Sequence, residues 1–238
     1  MFAESAELYD LIYGEFKDYE AEVSQLAELI RELHPEAATV LDLGCGTGKH
    51  ADLLTRSHGY EVDGVDIEPD FVAIANERCP DGAFTVGDMA DFSLGTQYDV
   101  ILSLFSAIGY VRTLERLSAT ARCIANHLKP DGVAVIEPWF TPETFTGGNV
   151  YLATVDKPEL KIARTSHSEV KDGVSHLLFH YLVATPEGNR HMEEHHALGL
   201  FTTEEMTQAL ESGGLRIKRH DPNGLIERGM YIVGKESD

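Results

Sequence analysis

Alternating glycines follow an apolar segment near the start of the chain. Gly44, Gly46 and Gly48 come directly after residues 39–43, whose composition is that of a buried parallel strand ending near Asp42. Glycines at every second position let the backbone turn tightly beneath a ligand, and a helix predicted from residue 48 would direct its N-terminal amides at the same ligand. The pattern predicts a nucleoside-binding loop, and the alternative is a plain tight turn.

The spacing of these glycines separates two kinds of cofactor. A dinucleotide-binding turn is written G-x-G-x-x-G, whereas Lys49 stands where its third glycine would be, which disfavours a dehydrogenase. The observed (D/E)-x-G-x-G-x-G resembles the first motif of the class I S-adenosylmethionine-dependent methyltransferases. The resemblance implies that S-adenosyl-L-methionine is the cofactor and S-adenosyl-L-homocysteine its product. The cofactor would be bound by Asp42, Gly44, Cys45, Gly46 and Gly48, with Cys45 as a small space-filling residue rather than a nucleophile.

Two further carboxylates follow the next two predicted strands. Asp66 ends the second strand about 20 residues beyond the glycines, where an acid can accept hydrogen bonds from two ribose hydroxyls, and Ile67 follows it. A solvated acid capping the next helix is the alternative for Asp66. Asp88 follows the third strand, where the same resemblance implies that it accepts the adenine amino proton while Met89 packs on the ring.

Two more segments are expected at the cofactor. Phe105 and Ser106 lie at the predicted end of the fourth strand, the edge at which open α/β sheets bind ligands, and should flank the methionine portion. Phe105 could equally belong to the core. Tyr19, in the N-terminal helical segment, could close over the cofactor and hydrogen-bond its carboxylate, or simply pack on the domain.

Helical and extended segments alternate up to about residue 150, which indicates an α/β fold with a parallel sheet. The resemblance implies a Rossmann-like, doubly wound and mostly parallel sheet of seven strands. From about residue 151 to 200 the helical signals stop, and segments at 160–167, 174–184 and 190–200 alternate between turn clusters. These segments predict an inserted antiparallel sheet. We therefore expect a single domain over 1–238, with a cofactor-binding core of 1–150 and 201–238 and a substrate-side insertion of 151–200.

Several short segments resemble the sugar N,N-dimethyltransferases that act on nucleotide-linked (dTDP) 3-amino-3,6-dideoxyhexoses, the desosamine and mycaminose type. The segments are 6–11, 17–19, 87–92, 105–110, 137–145 and 166–168. The resemblance implies that the aminosugar side of the pocket is lined by Tyr9, Tyr110 and Arg228. It also implies that Glu137, Trp139 and His167 lie near that side.

The implied reaction is in-line displacement of a sulfonium methyl group by a neutral amine. The protein would chiefly align nitrogen, methyl and sulfur, with Tyr9 or Tyr110 orienting the nitrogen and no obligatory general base. Transfer to another small-molecule amine or oxygen acceptor, and a non-catalytic protein that only binds S-adenosylmethionine, stay open as alternatives.

Composition limits the partners. The 238 residues carry a net charge of −21, which disfavours a nucleic-acid substrate because phosphate binding depends on lysine and arginine. No apolar segment approaches the roughly 20 residues that cross a bilayer, and the N-terminus lacks the basic start of a signal peptide, so a cytoplasmic protein without a membrane partner is expected. A small-molecule substrate is expected, and a homodimer is left open.

No metal site is expected from the sequence. The three cysteines contain no C-x-x-C pair. His191 and His195 would share one face of a strand, but about 13 Å apart, too far for one ion.

Overall fold

The computed structural model describes residues 6–15, 17–225 and 227–235, and it contains two β-sheets. The strands of the larger sheet are β1 (Thr39–Leu43), β2 (Glu61–Asp66), β3 (Phe84–Val86), β4 (Tyr98–Ser103), β5 (Leu128–Ile136), β10 (Leu215–Asp221) and β11 (Met230–Lys235). The strands of the smaller sheet are β6 (Val150–Lys157), β7 (Leu160–Lys171), β8 (Val174–Thr185) and β9 (Gly188–Gly199). The helices are α1 (Ala6–Tyr13), α2 (Tyr19–Leu33), α3 (Lys49–His58), α4 (Pro69–Arg78), α5 (Leu114–His127) and α6 (Thr203–Ser212), with a 3₁₀ helix at Ala107–Val111.

The larger sheet has the order β10-β11-β5-β4-β1-β2-β3. Pairing is parallel from β3 through β5, and β11 runs antiparallel between β5 and β10. The order reverses at β1 and β4, which leaves a crevice at their carboxyl ends. The expected seven-stranded, mostly parallel sheet is confirmed.

Both faces of the larger sheet are covered by helices. Along β1, Val40 packs into a core that contains side chains of α2, α3 and α4, whereas Leu41 packs into a second core with α5 and α6. Both side chains are fully buried, as alternation along a doubly covered strand requires. The continuous apolar composition of β1 therefore follows from its central position.

The smaller sheet has the order β6-β7-β8-β9, with every pairing antiparallel. Its turns are at 172–173 and 186–187, where the sequence predicted hairpin turns. Leu8 and Ile12 of α1 pack against the buried face of this sheet, next to Val183 and Tyr181. Helix α1 therefore lies between the inserted sheet and the cofactor-binding core.

Three local features differ from the sequence expectations. The single N-terminal helix is divided into α1 and α2, because the side chain of Asp18 caps a new helix by accepting from the Ala21 amide. Strand β6 was not predicted, because Val155 is its only fully buried residue and its alternation is weak. Residues 129–132 have the Lys-Pro-Asp-Gly sequence typical of a turn but lie inside β5, where the register shifts between the pairs Tyr98–Leu128 and Val100–Val133.

None of the helices formed by the described residues is both long enough and apolar enough to cross a membrane.

Candidate active site

The glycine loop adopts the conformation that its composition predicts. Gly44, Gly46 and Gly48 all have positive φ angles, 78°, 53° and 74°. A Cβ at Gly44 would lie only 2.5 Å from the Cβ of Ala107, so a side chain there has no room. The backbone of this loop thus forms a cradle between β1 and α3 that a ligand can approach closely.

Two buried carboxylates support the cradle. Asp66 accepts from the Gly46 amide through Oδ2 at 2.8 Å and from the Glu68 amide through Oδ1 at 2.9 Å, so the end of β2 holds the loop. Burial raises the pKa of Asp66, while these amide hydrogen bonds lower it in part. Burial raises the pKa of Asp42 to about 7, and the charge of Asp66 adds to the effect. Cys45 is buried and its thiol pKa is raised well above the ordinary value by burial, so it is not an activated nucleophile.

Asp88 and Met89 border a large cavity of about 1060 Å³ that starts at the glycine loop. Both carboxylate oxygens of Asp88 lie 2.7 Å from Nη2 of Arg116. Burial alone would raise the pKa of Asp88, but the hydrogen bonds from Arg116 and Ala90 lower it below its usual value. Ile67 also borders the cavity and is 54% exposed, which leaves an apolar side chain available to a flat ring.

Phe105 and Ser106 turn the chain sharply at the end of β4. Both have left-handed backbone conformations, with φ angles of 50° and 62°, which non-glycine residues rarely adopt. Glu137 holds the first residue by accepting from the Phe105 amide at 2.6 Å, and the Ser106 hydroxyl donates to the Pro138 carbonyl at 2.7 Å. The strained turn is thus fixed by the segment that follows β5.

A small cleft adjoins the glycine loop on the side of Tyr19. Tyr19 is buried and lines this cleft together with Asp42, Phe105 and Lys17. Nζ of Lys17 lies 4.0 Å from the centre of the Phe105 ring and 3.1 Å from Oε1 of Glu22. Burial lowers the pKa of Lys17, although the charge of Glu22 raises it in part. The sequence did not point to Lys17, whose ammonium is placed to bind the carboxylate of a ligand in this cleft.

Helix α1 is tied to the glycine loop by a hydrogen-bonded group. The Thr47 hydroxyl donates to Oδ1 of Asp10 at 2.7 Å, and the Arg78 guanidinium pairs with the other oxygen of Asp10. Arg78 also donates to the Thr47 carbonyl at 2.6 Å. These contacts hold α1, and with it Tyr9, over the opening of the cofactor cradle.

The part of the large cavity away from the glycine loop lies between the two sheets and is lined by Tyr110, Trp139 and Arg228, whereas Tyr9 borders both this cavity and the small cleft at the glycine loop. The Arg228 guanidinium lies 4.6 Å from the centre of the Trp139 ring and donates to the Ser106 hydroxyl at 3.1 Å. Burial lowers its pKa, while the charge of Glu137 acts in the opposite direction. Burial also raises the pKa of Tyr9 and of Tyr110 well above the ordinary value, so both phenols stay protonated.

The structure does not bring His167 or Glu137 to the cavity surface. His167 is exposed, and Ser166 and Ser168 beside it line the cavity, because successive residues of β7 point to opposite faces. Glu137 is fully buried and is not among the lining residues; its contact is with the backbone of Phe105. The expectation that these two residues lie near the aminosugar side of the pocket stays a prediction, and neither side chain is among those that line the cavity.

Sequence analysis also missed residues of the inserted sheet that line the cavity. Arg164 of β7 lies with its guanidinium 5.1 Å from the centre of the Tyr13 ring, and His196 of β9 hydrogen-bonds with Tyr110. The alternation of β9 could have placed His196 and its neighbour His195 on opposite faces. Nothing in the sequence alone indicates which of the two faces is buried.

Histidines on neighbouring strands approach each other more closely than those on one strand. His180 and His191 lie 3.1 Å apart between ring nitrogens, and Glu193 completes a group whose ligand atoms are all within 4.8 Å. Sequence analysis considered only His191 and His195 and so did not find this arrangement. By alternation, His180 lies on the face of β8 opposite to Phe179, which borders the cavity.

Comparisons with known proteins agree with this geometry. A family model described as a methyltransferase domain matches residues 40–132, which contain the glycine loop, Asp66, Asp88 and Phe105. The fold and the site thus define a class I S-adenosylmethionine-dependent methyltransferase.

Proteins of similar sequence indicate a more specific class of methyltransferase. The dTDP-3-amino-3,6-dideoxy-alpha-D-glucopyranose N,N-dimethyltransferase of Streptomyces fradiae is 42% identical over 96% of this chain and 89% of its own length. A dTDP-4-amino-2,3,4,6-tetradeoxy-D-glucose N,N-dimethyltransferase of Saccharopolyspora spinosa is 38% identical over 95% of this chain and 91% of its own length. The chain belongs to this family of aminosugar N-methyltransferases.

Solved structures agree. That of Streptomyces venezuelae DesVI superposes with a TM-score of 0.91 at 38% identity and covers 98% of this chain and 99% of its own. The structure of CalS10, an amino pentose methyltransferase from Micromonospora echinaspora with S-adenosylmethionine bound, gives 0.86 at 31% identity and covers 96% and 97%. Expectations of a methyltransferase that uses S-adenosylmethionine are confirmed.

We expect Asp66→Ala to weaken S-adenosylmethionine binding about 10- to 100-fold, because the carboxylate both holds the Gly46 amide and faces the predicted ribose position. Asp63 is the matched control. It accepts from the Tyr98 hydroxyl and the Ala83 amide, so Asp63→Ala should lower the melting temperature and leave the Kd within about threefold. Isothermal titration calorimetry measures both variants, and a larger loss of affinity for Asp63→Ala would contradict the assignment.

Glu137→Gln should change the pH dependence of stability. Burial raises the pKa of Glu137 to about 7, so the folded wild type binds this proton more tightly than the unfolded chain, whose glutamate pKa is about 4.3. Wild-type stability should therefore fall between these pH values and stay level above them. Glutamine does not ionise, so the variant should gain stability relative to wild type over this interval, by at most about 3–4 kcal/mol.

Urea unfolding at pH 5 and at pH 8 measures this gain. Glu159→Gln, at an exposed position, is the control and should keep the wild-type pH dependence. Parallel pH dependences for Glu137→Gln and wild type would show that Glu137 is not the buried acid responsible.

Proposed function

We propose that the methyl acceptor is the amine of a nucleotide-linked aminosugar. The observation that carries the proposal is Arg228, a mostly buried guanidinium stacked near Trp139 in the acceptor half of the cavity. Among the residues that the structure describes, no carboxylate lies within ion-pair distance of Arg228. A buried cation without an acidic partner favours an anionic ligand, and a guanidinium can bind a phosphate with two parallel hydrogen bonds.

The charge distribution supports an anionic acceptor. The chain has 40 acidic and only 19 basic residues, whereas the cavity is lined by five basic side chains, Lys17, Arg112, Arg116, Arg164 and Arg228, against four acidic ones, Glu22, Asp66, Glu68 and Asp88. The acidic surface repels an anionic ligand at long range, and this repulsion is overcome only where cations are concentrated. A diphosphate would be drawn to this cavity, whereas a simple amine, cationic at neutral pH, would not need these residues.

The extent of the cavity supports two ligands. Its volume of about 1060 Å³ is at the upper end of the range of about 300–1,000 Å³ for ligand pockets, and its lining extends from the glycine loop to the inserted sheet. One end fits the cofactor, because the glycine cradle, Asp66 and Lys17 are there. The other end, between the sheets, leaves room for a nucleotide sugar.

The side chains act mainly by positioning. When bound, S-adenosylmethionine supplies an activated methyl group, and the protein must hold the acceptor nitrogen in line with it. Tyr9 and Tyr110 present protonated hydroxyls to the cavity and can orient that nitrogen. Arg228 would hold the nucleotide or a sugar hydroxyl, and Phe105 would close the boundary between the two ligands. Alignment of this kind can supply about 7–11 kcal/mol.

Methyl transfer from labelled S-adenosylmethionine tests the acceptor. We expect transfer to dTDP-linked 3-amino or 4-amino deoxysugars and much less to the same sugars without the nucleotide. Arg228→Gln should raise the KM for the nucleotide-linked acceptor tenfold or more, since it removes a charged hydrogen bond. Arg190→Gln, at an exposed position of β9, should leave it unchanged. Transfer to simple amines or hydroxyls alone would favour another small-molecule acceptor, and no transfer to any acceptor would favour a protein that only binds the cofactor.

We also propose a homodimer formed through the outer face of the inserted sheet. Val150, Leu152, Leu178 and Leu182 share this face by strand register and are between 37% and 73% exposed. The face also carries His167, and it is less acidic than a surface with a net charge of −21 would be on average, so two copies repel least here. Sedimentation velocity should show a dimer that Leu152→Glu dissociates, and a monomeric wild type would contradict the proposal.

We further propose that the enzyme works in the cytoplasm on a small molecule, without nucleic-acid or membrane partners. Cys45, Cys79 and Cys123 are free thiols, as a reducing compartment favours, and the acidic surface opposes binding to phosphate backbones.

A further inference from the structure

A group of two buried polar side chains, His196 and Glu194, lies next to Tyr110 in the part of the cavity wall that the inserted sheet forms. The Tyr110 hydroxyl lies 3.1 Å from Nδ1 of His196, and Nε2 of His196 lies 3.6 Å from Oε2 of Glu194. The side chains of His196 and Glu194 are only 1% and 2% exposed. Both come from β9, two residues apart, and therefore point to the same inner face.

The surroundings explain why this group is costly to bury. Phe179 packs on His196, with ring centres 4.8 Å apart, and the same inner face carries the apolar residues Val183 and Met192. The Tyr181 hydroxyl donates to Oε2 of Glu194 at 2.8 Å, which supplies one hydrogen bond to that oxygen. A buried carboxylate and imidazole in an apolar layer cost free energy that an apolar pair would avoid. A buried acid and imidazole next to a cavity are candidates for a role in a reaction there.

The charged and titratable groups that face the pair come from every neighbouring element. Arg164 of β7 approaches Phe179 and Tyr181. Tyr13 of α1 and Asp66 of β2 act on Tyr110 from the cofactor side. Arg164, Tyr13 and Asp66 are thus charged or titratable neighbours of the group formed by Tyr110, His196 and Glu194.

The proposed reaction produces a proton that must leave. An alkyl amine resembles the lysine side chain, with a pKa of about 10.4, so most of it is ammonium at neutral pH and cannot attack. Each methyl transfer also converts a neutral amine into an ammonium ion. A proton acceptor next to the nitrogen would therefore increase turnover at neutral pH.

We propose that His196, oriented by Glu194, is the proton acceptor for the amine and receives the proton through the Tyr110 hydroxyl. The bound ammonium form of the amine first gives a proton to the Tyr110 oxygen as the Tyr110 hydroxyl proton passes to Nδ1 of His196, which leaves a neutral amine. The nitrogen lone pair then forms the new C–N bond while the S–CH₃ bond breaks and its electron pair stays on the neutral sulfur of S-adenosylhomocysteine. The result is a methylated ammonium ion and an imidazolium whose Nε2–H faces Glu194, and solvent takes up the imidazolium proton when the product leaves.

The geometry fits these roles. Nδ1 of His196 accepts from Tyr110 if Nε2 carries the proton, and the carboxylate of Glu194 favours that tautomer. Burial raises the pKa of Tyr110, so its hydroxyl passes a proton on without ionising first. Tyr110 would touch the amine and is the catalytic residue, whereas Glu194 acts through His196 and is a positioning residue.

The inference rests on the amine acceptor proposed above, and the pH dependence of kcat tests it separately. With the acceptor that wild type methylates, His196→Gln should lower kcat at pH 7 about 100-fold, with little change in the Kd for S-adenosylmethionine. The variant should regain activity about tenfold per pH unit as the amine becomes neutral in solution. Glu194→Gln should show a smaller loss with the same recovery at high pH.

His191→Gln is the matched control, since His191 is exposed on the other face of β9, and it should keep the wild-type profile. If His196→Gln fails to fold, Tyr110→Phe tests the same path, because it removes the connecting hydroxyl and keeps His196. A pH profile that keeps the wild-type shape in whichever of these variants folds would overturn the relay. Absence of transfer by wild type to any amine would instead overturn the proposed acceptor.

Discussion

The turn formed by Phe105 and Ser106 connects the two halves of the site. Two consecutive left-handed residues are strained, and the structure keeps them because Glu137 and Pro138 accept their hydrogen bonds. The same Ser106 hydroxyl accepts from Arg228, so this turn links the glycine-loop end of the cavity, which Phe105 borders, to the end at Arg228.

Helix α1 forms the second connection. Its polar side chain Asp10 is held by Thr47 and Arg78 of the core, and its apolar side chains Leu8 and Ile12 pack on the inserted sheet. One short helix thus joins the glycine loop to the inserted sheet. Because tertiary packing stabilises most short helices, α1 depends on both neighbours for its position.

Electrostatics separates the cavity from the rest of the molecule. The chain is strongly acidic, but five lysine and arginine side chains line the cavity, and beside it the carboxyl groups of Asp42 and Glu137 are buried with raised pKa values. A neutral carboxylic acid contributes hydrogen bonds without adding negative charge. The cavity is therefore less acidic than the net charge of the whole chain suggests, which suits the anionic acceptor proposed above.

The sequence by itself determined the parts of this protein that depend on local patterns. Glycine spacing favours positive φ angles at Gly44, Gly46 and Gly48, and the apolar run of β1 favours burial on both faces, so the conformation of the glycine loop and the parallel sheet could be predicted. Asp66 and Asp88 follow because strand ends in such a sheet meet at one edge. Weak strand β6 could not be found, since only Val155 is buried along it.

Only the tertiary structure decided what the inserted sheet contributes. A strand pattern of period two does not indicate which face of the sheet is covered. Helix α1 packs on one of the two faces, so His196 on that face is part of the cavity wall while His167 on the other face is exposed. Pairs such as Asp10 with Arg78 and Tyr110 with His196 are 68 and 86 residues apart in sequence. Contacts of that range depend on strand register and helix docking, which no local sequence pattern encodes.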